Sequence, residues 1–177
     1  NNILVRKFNF LLILLFVLNI KNCLAQNIYY ADLDSIIKNS DIGKKIITYF
    51  DNENSSLLDE IKKFQTQIKD KEKKIISQKN ILETNEYVKK VNLLQSEIDN
   101  FNKKNNEKIN KLNINKDKTL NLLMIEINKI LKEFAETNNI DIILSSKQML
   151  IGKSSLDMTD KILKTVNKNV TKIEIIK

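Results

Sequence analysis

The chain has 177 residues, of which 42% are apolar and 29% charged, and its formal net charge is +8. It has no histidine and no proline, and its single cysteine is Cys23, so the usual general bases, nucleophiles and zinc ligands are nearly absent. Only two glycines, Gly43 and Gly152, interrupt it, which argues against a compact many-stranded fold and predicts long uninterrupted helices.

The first 25 residues have the pattern of a secretory signal peptide. The basic pair Arg6-Lys7 precedes the apolar run FNFLLILLFVLNI (8–20), and CLA (23–25) places small residues where a signal peptidase cleaves. We expect cleavage after Ala25, which leaves an exported chain without cysteine. A retained membrane anchor and a lipid on Cys23 are the alternatives, but the apolar run has about 13 residues, whereas a spanning helix needs roughly 20.

Three short β-type runs and two helix starts lie near the two ends of the mature chain. NIYYAD (27–32), IDIILSS (140–146) and QMLIG (148–152) are rich in β-branched, aromatic or other apolar residues at strand length. DLDS (32–35) fits a helix N-cap better than a calcium loop, since no further oxygen ligands follow it. Thr159 is the predicted cap of a last helix. We predict a small body whose candidate core and oligomer contacts are Ile28, Tyr30, Ile140, Ile142, Leu144, Met149 and Ile151.

Between these ends, apolar residues recur on alternating four- and three-residue steps, the spacing of a coiled coil. The pattern breaks around residue 83, where Thr84 is a plausible N-cap, so we predict a hairpin with its tip near 83–86. Folding back there pairs Leu82 with Tyr87 and, in the same register, Ile68 with Phe101. The predicted seam consists of Leu57, Ile61, Phe64, Ile68, Ile75, Leu82, Tyr87, Val91, Leu94, Ile98, Phe101 and Leu112.

Polar residues interrupt this seam. The register places Lys71 opposite Ile98 and Asn105 opposite Phe64, and such layers pack less well than Leu against Ile. The hairpin is therefore predicted to be stable near its base and pliable further out.

The predicted fold class is α+β, mostly α. A long antiparallel coiled-coil hairpin (43–138) projects from a small β body formed by residues 26–42 and 139–177. A small sheet with open edges favours self-association that covers those edges.

The lysine surplus favours anionic partners. The candidate contacts for a client or an anionic surface are Lys71, Lys73, Lys74, Lys89 and Lys90 near the tip. GKSS (152–155) lacks the earlier glycine of a phosphate loop, and the acids fall on solvent faces of the predicted helices, so we expect no enzyme activity, cofactor or metal. Nucleic acid is not an expected partner, because no basic stripe carries interleaved aromatic residues.

The stretches IYYADLDSIIKNSDIGKKI and NIDIILSSKQMLIGKSSLDMTDKILKTVN resemble the OmpH/Skp family of periplasmic chaperones. The resemblance implies a homotrimer with three helical arms around a cavity. It also implies an ATP-independent holdase that binds unfolded outer-membrane proteins in the periplasm. Two alternatives stay open: a structural or adaptor coiled-coil protein of the cell envelope that docks one folded partner, and a basic protein that binds anionic lipid surfaces.

Overall fold

The computed structural model describes residues 26–177, so the predicted signal peptide and Cys23 lie outside the described residues. The elements are β1 (Ile28–Ala31), α1 (Leu33–Asn39), α2 (Asp41–Ser77), α3 (Thr84–Thr137), β2 (Ile142–Ser145) and α4 (Thr159–Asn169). Two short 3₁₀ turns, Ser146–Gln148 and Ser154–Leu156, separate β2 from α4. The protein is mostly helical with one small strand pair, which confirms this part of the predicted fold class.

The two strands pair in parallel although almost the whole chain lies between them. Ile28 is aligned with Ile142, and Tyr30 with Leu144. Side chains alternate across a strand, so Tyr29 and Ile143 pack against the core. The pairs Ile28–Ile142 and Tyr30–Leu144 lie on the opposite face of the sheet. That outer face is largely exposed: Ile142 is 42% and Leu144 38% accessible.

The core lies where α1 and α4 pack against the inner ends of the two long helices. Each fully buried Leu, Ile or Phe stabilises the fold by roughly 1.5–3 kcal/mol. On α2 the buried core residues end at Phe50, and on α3 they start at Leu123. The first part of α2 and the last part of α3 therefore belong to the same core as the strands. The buried apolar residues are Ala31, Ile36, Ile42, Ile46, Phe50, Leu123, Ile127, Ile130, Met158, Ile162, Val166 and Val170.

A tight corner connects α1 to α2. Asp32 caps α1 by accepting a hydrogen bond from the Ser35 backbone N–H at 2.9 Å, which confirms the predicted N-cap. Ser40 caps α2 in the same way, with Oγ accepting from the Gly43 N–H at 3.1 Å. A side chain at position 43 would place its Cβ 1.7 Å from the Ile37 carbonyl oxygen, so only glycine fits this corner.

The two long helices run antiparallel. Lys116 pairs with Asp51 near the core, and Lys71 pairs with Glu97 near the turn. At 1.5 Å per residue, the 37 residues of α2 span about 55 Å and the 54 residues of α3 about 80 Å. We call residues 57–112 the arm, and the remaining described residues the base.

Two predicted features of the local structure are wrong. Residues 148–152 form no strand: they leave the sheet after the 3₁₀ turn Ser146–Gln148, and among the described residues it is Asp157 that bridges to Tyr30 on the second edge of β1. Thr84 and Thr159 are first residues of their helices rather than caps, since the N-cap positions are Glu83 and Met158, without side-chain capping bonds.

Candidate functional site

The predicted seam lies between α2 and α3 but is only partly closed. Ile68 is its one fully buried member, at 8% exposure. Val91 remains 41% exposed, and the other predicted seam residues are half-buried. The two helices therefore contact each other along the arm without excluding water from most of their apolar side chains.

An aromatic pair marks the middle of the arm. The rings of Phe64 and Phe101 stack with centroids 3.7 Å apart and planes within 7° of parallel. The predicted register placed Phe101 opposite Ile68 instead, one helical turn away. Beside the stacked rings lies an open groove of about 480 Å³, lined by Ile61, Phe64, Gln65, Ile68, Lys69, Glu72, Ile98, Phe101 and Asn102.

Asn105 lies one turn beyond Phe101 on α3. It is buried, at 9% exposure, and its Oδ1 has no hydrogen-bond partner among the described residues. Desolvating an amide oxygen without a partner is unfavourable. This part of the arm is therefore locally destabilised.

Polar pairs across the arm follow a register that differs by one residue from the predicted one. Lys71 Nζ contacts both carboxylate oxygens of Glu97, at 2.5 and 2.7 Å, where Ile98 was the predicted neighbour. Lys108 contacts Glu60 at 2.6 Å. These pairs are about half exposed, and exposed ion pairs contribute only about 0–1 kcal/mol, so they orient the helices more than they stabilise them.

The five candidate lysines surround the outer part of the arm. Lys71, Lys74 and Lys90 line a second groove of about 350 Å³ together with Leu93. Lys90 also donates to Gln78 Oε1 at 2.7 Å. Lys73 and Lys89 are exposed. The groove thus combines apolar side chains with three lysines and the Glu97 carboxylate, which pairs with Lys71.

Exposed apolar residues near the turn were not among the predicted site residues. Leu93 is 62% exposed, Ile76 64% and Ile81 81%. They lie outside the heptad positions, so the seam pattern does not identify them. The sequence signal for them is a large apolar residue at a helix position that the seam leaves facing solvent.

The predicted body residues divide between the core and the surface. Ile140 is buried, and Tyr30 and Met149 are half-buried. Ile28, Ile142 and Leu144 lie on the exposed sheet face. Ile151 is 92% exposed, and its neighbour Leu150, which was not predicted, is fully exposed. The outer sheet face and this loop, together Ile28, Ile142, Leu144, Leu150 and Ile151, form what we call the outer apolar surface.

The described residues contain no cluster of three or more His, Cys, Asp or Glu side chains suited to a metal ion. In residues 26–177, no helix is long and apolar enough to cross a membrane.

One carboxyl group of the base has a shifted pKa. A hydrogen bond from Lys147 lowers the pKa of Asp34 below its ordinary value of 3.8, with Lys38 adding to the effect and desolvation opposing it.

The described residues thus form a long, loosely closed helical pair on a small α/β base, with open grooves along the arm. A family model for outer membrane proteins of the OmpH-like type matches residues 27–166. The chain belongs to this OmpH-like family.

A solved structure has the same fold. It is the 2.83 Å crystal structure of an OmpH-like protein from Caulobacter crescentus, described as a candidate outer membrane chaperone. It superposes with a TM-score of 0.77 at 12% sequence identity, covering 86% of this chain and 90% of that one. Among curated proteins, none matches the chain significantly. The structural likeness establishes the fold.

Proposed function

We propose that this protein is an ATP-independent holdase of the periplasm that binds unfolded outer-membrane β-barrel proteins and prevents their aggregation. Family membership supports a chaperone role in general. The observation that carries the proposal is the open seam of the arm, where half-buried apolar side chains line grooves beside lysines. A chain that has lost its fold offers both apolar residues and acidic groups to such a surface.

Weak, distributed contacts explain how binding is reversed without nucleotide. Each groove is open, and its apolar residues are only partly available, so one client segment gains little from one contact. Many such contacts together hold a long unfolded chain through effective concentration. When the client begins to fold elsewhere, the contacts are lost one at a time, and release requires no energy input from the chaperone.

The lysines add attraction that depends on ionic strength. Lys73 and Lys89 are exposed on the same part of the chain, and the other three candidate lysines line the second groove together with Gln78. Charge complementarity of this kind increases the association rate with acidic segments and is screened by salt. We propose the same lysines as the contacts for an anionic membrane surface.

We further propose that the protein works as a homotrimer assembled through the outer apolar surface. Ile142 and Leu144 are exposed on a two-stranded sheet that has free edges. Covering these residues with further copies removes apolar area from water, and each 100 Å² so buried contributes about 2.5 kcal/mol. Residues 148–152, which are not a strand in the single chain, would gain backbone partners in such an assembly. The arm of each copy, residues 57–112 of the predicted hairpin 43–138, would then project from the shared base.

The direct experiment is light scattering after a urea-unfolded β-barrel outer-membrane protein is diluted into buffer with and without the chain, in the absence of ATP. Suppression near three subunits per client supports a trimeric holdase. Unchanged aggregation with several unrelated barrels contradicts the holdase and favours an adaptor that binds one folded partner. Vesicles of anionic lipid, without client, measure the surface contact separately, and that binding should be lost at high salt.

A matched pair of variants tests the grooves. Leu93→Asn removes an exposed leucine that lines the lysine-rimmed groove, and Ile114→Asn removes a similarly exposed residue, 52% accessible, that lines neither groove described above. A leucine buried by the client would contribute about 1.5 kcal/mol, so Leu93→Asn should weaken client binding up to about tenfold. Equal effects of the two variants would show that the grooves are not the contact surface.

A further inference from the structure

The last residues of the chain cover one face of α3. After α4, Val170 enters the core, and Ile173 and Ile175 pack half-buried against it. The Ile176 backbone N–H donates to Thr119 Oγ1 at 3.1 Å. We call residues 171–177 the tail. It lies beyond residue 166, where the match to the family model ends.

The tail is held by few contacts. Among the described residues, its backbone N–H and C=O groups make no backbone–backbone hydrogen bond. Three half-buried isoleucines, Ile173, Ile175 and Ile176, and one bond to a side chain must therefore offset the conformational entropy lost on ordering seven residues. A segment held by so few contacts is readily displaced by another segment that makes equivalent contacts.

The surface beneath the tail is suited to extended backbone. Thr119 is fully buried, and its hydroxyl donates to the Asn115 carbonyl oxygen at 2.8 Å. Since that proton is already used, Oγ1 faces the tail as an acceptor for a backbone N–H. An acceptor for main chain, next to apolar core residues, selects for an extended shape more than for a particular sequence.

The tail shows which sequence pattern fits. Ile173 and Ile175 face the core, while Lys172 and Glu174 between and beside them are exposed. Over residues 172–175 this alternation is the pattern of a strand with one apolar face, and barrel strands have the same period. Ile176, the next residue, is also half-buried.

We propose that the face of α3 around Thr119 is a binding site for extended peptide segments with apolar residues at alternate positions, and that the tail is its tethered occupant. A tethered occupant competes at high effective concentration. Isolated short segments are therefore excluded, whereas a long client that is already held on the arm displaces the tail. The identity of that client rests on the proposed function; the site itself does not.

The test uses the full chain and a fluorescent peptide with the tail sequence TKIEIIK. In one variant, Ile173→Asp and Ile175→Asp release the tail. In the matched control, Thr171→Asp and Lys172→Asp place two aspartates at exposed positions of the same tail. Anisotropy measures peptide binding to each form. Hydrogen exchange of residues 171–177 in the unaltered chain is measured with and without peptide and with an unfolded barrel protein.

We expect the peptide to bind the released-tail variant about tenfold more tightly than the unaltered chain or the control. We also expect exchange in the tail to rise when peptide or client is added. Equal binding to all three forms overturns the proposal, as does unchanged exchange while the chain keeps a barrel soluble. If no form keeps any barrel soluble, the proposed function fails, and the peptide measurements still decide whether this site exists.

Discussion

Replacing Asn105 with leucine should stabilise the arm. The asparagine is buried beside the stacked phenylalanines of the seam, and its Oδ1 has no partner among the described residues. An unsatisfied buried polar group costs about 1–3 kcal/mol. Leucine has the same branched arrangement of four side-chain heavy atoms, although its methyl groups are bulkier, and it removes that cost while adding apolar contact. We therefore expect Asn105→Leu to raise the free energy of unfolding by about 2 kcal/mol.

A change of this size is measurable in a chain of this length. One kcal/mol shifts the melting temperature of a 150–250-residue protein by about 2–4 °C, so the expected rise is roughly 4–8 °C. Circular dichroism during heating or urea titration gives the value, and the two proteins must be compared at equal concentration because self-association also affects it. The matched control is Asn106→Leu, an exposed neighbour, for which a change within about 0.5 kcal/mol is expected.

The same variant connects stability with function. If pliability of the arm is what adapts it to clients, Asn105→Leu should slow amide exchange around Phe64 and Phe101 and narrow the range of client sizes that the chain keeps soluble. A variant that is no more stable than Asn106→Leu would refute the reasoning, because it would mean that the buried amide oxygen carries no cost in the folded chain.

Three further outcomes are expected. Gly43→Ala should lower the free energy of unfolding by about 2 kcal/mol or more in a urea titration, because its Cβ would meet the Ile37 carbonyl oxygen at 1.7 Å; the gain of about 0.5–1 kcal/mol usual for this change in a helix would contradict the corner geometry. Ile142→Asp should reduce the molecular mass seen by light scattering, since a carboxylate resists burial at a subunit contact; an unchanged mass would argue against assembly through the sheet face. Lys147→Met should raise the pKa of Asp34, followed by NMR titration, towards 3.8. Because the folded-state pKa is lowered, the contact stabilises the fold above the ordinary pKa of Asp34, and this contribution is lost as pH falls through the lowered one; identical titration curves would show that the contact does not form.

Features determined by local chemistry were predictable from the sequence. Asp32 caps a helix because its short carboxylate reaches the N–H three residues on, and this pattern is visible in the letters alone. The long helices follow from the absence of proline and the scarcity of glycine. Heptad spacing was enough to pair the helices to within a residue of the observed polar contacts.

Features that depend on a partner or on side-chain shape were not predictable. The run 148–152 has strand composition, but a strand requires an edge to pair with, and composition does not say whether one is free. Phe101 stacks on Phe64 rather than on Ile68, and periodicity, which records only that a position is apolar, does not express this choice of partner. The tail site was missed altogether, since Thr119 becomes an acceptor only when distant residues fold over it.

The parallel pairing of β1 with β2 makes the arm an insertion between two neighbouring strands. Ile28 cannot meet Ile142 until both long helices have been synthesised, so the base is the last part of the chain to close. Once closed, it holds the two ends of the insertion at a fixed spacing. Residues added in equal number to both helices would lengthen the arm without moving either strand. The length of the arm and the structure of the base are thus separate properties of this chain, and each is free to change while the other stays the same.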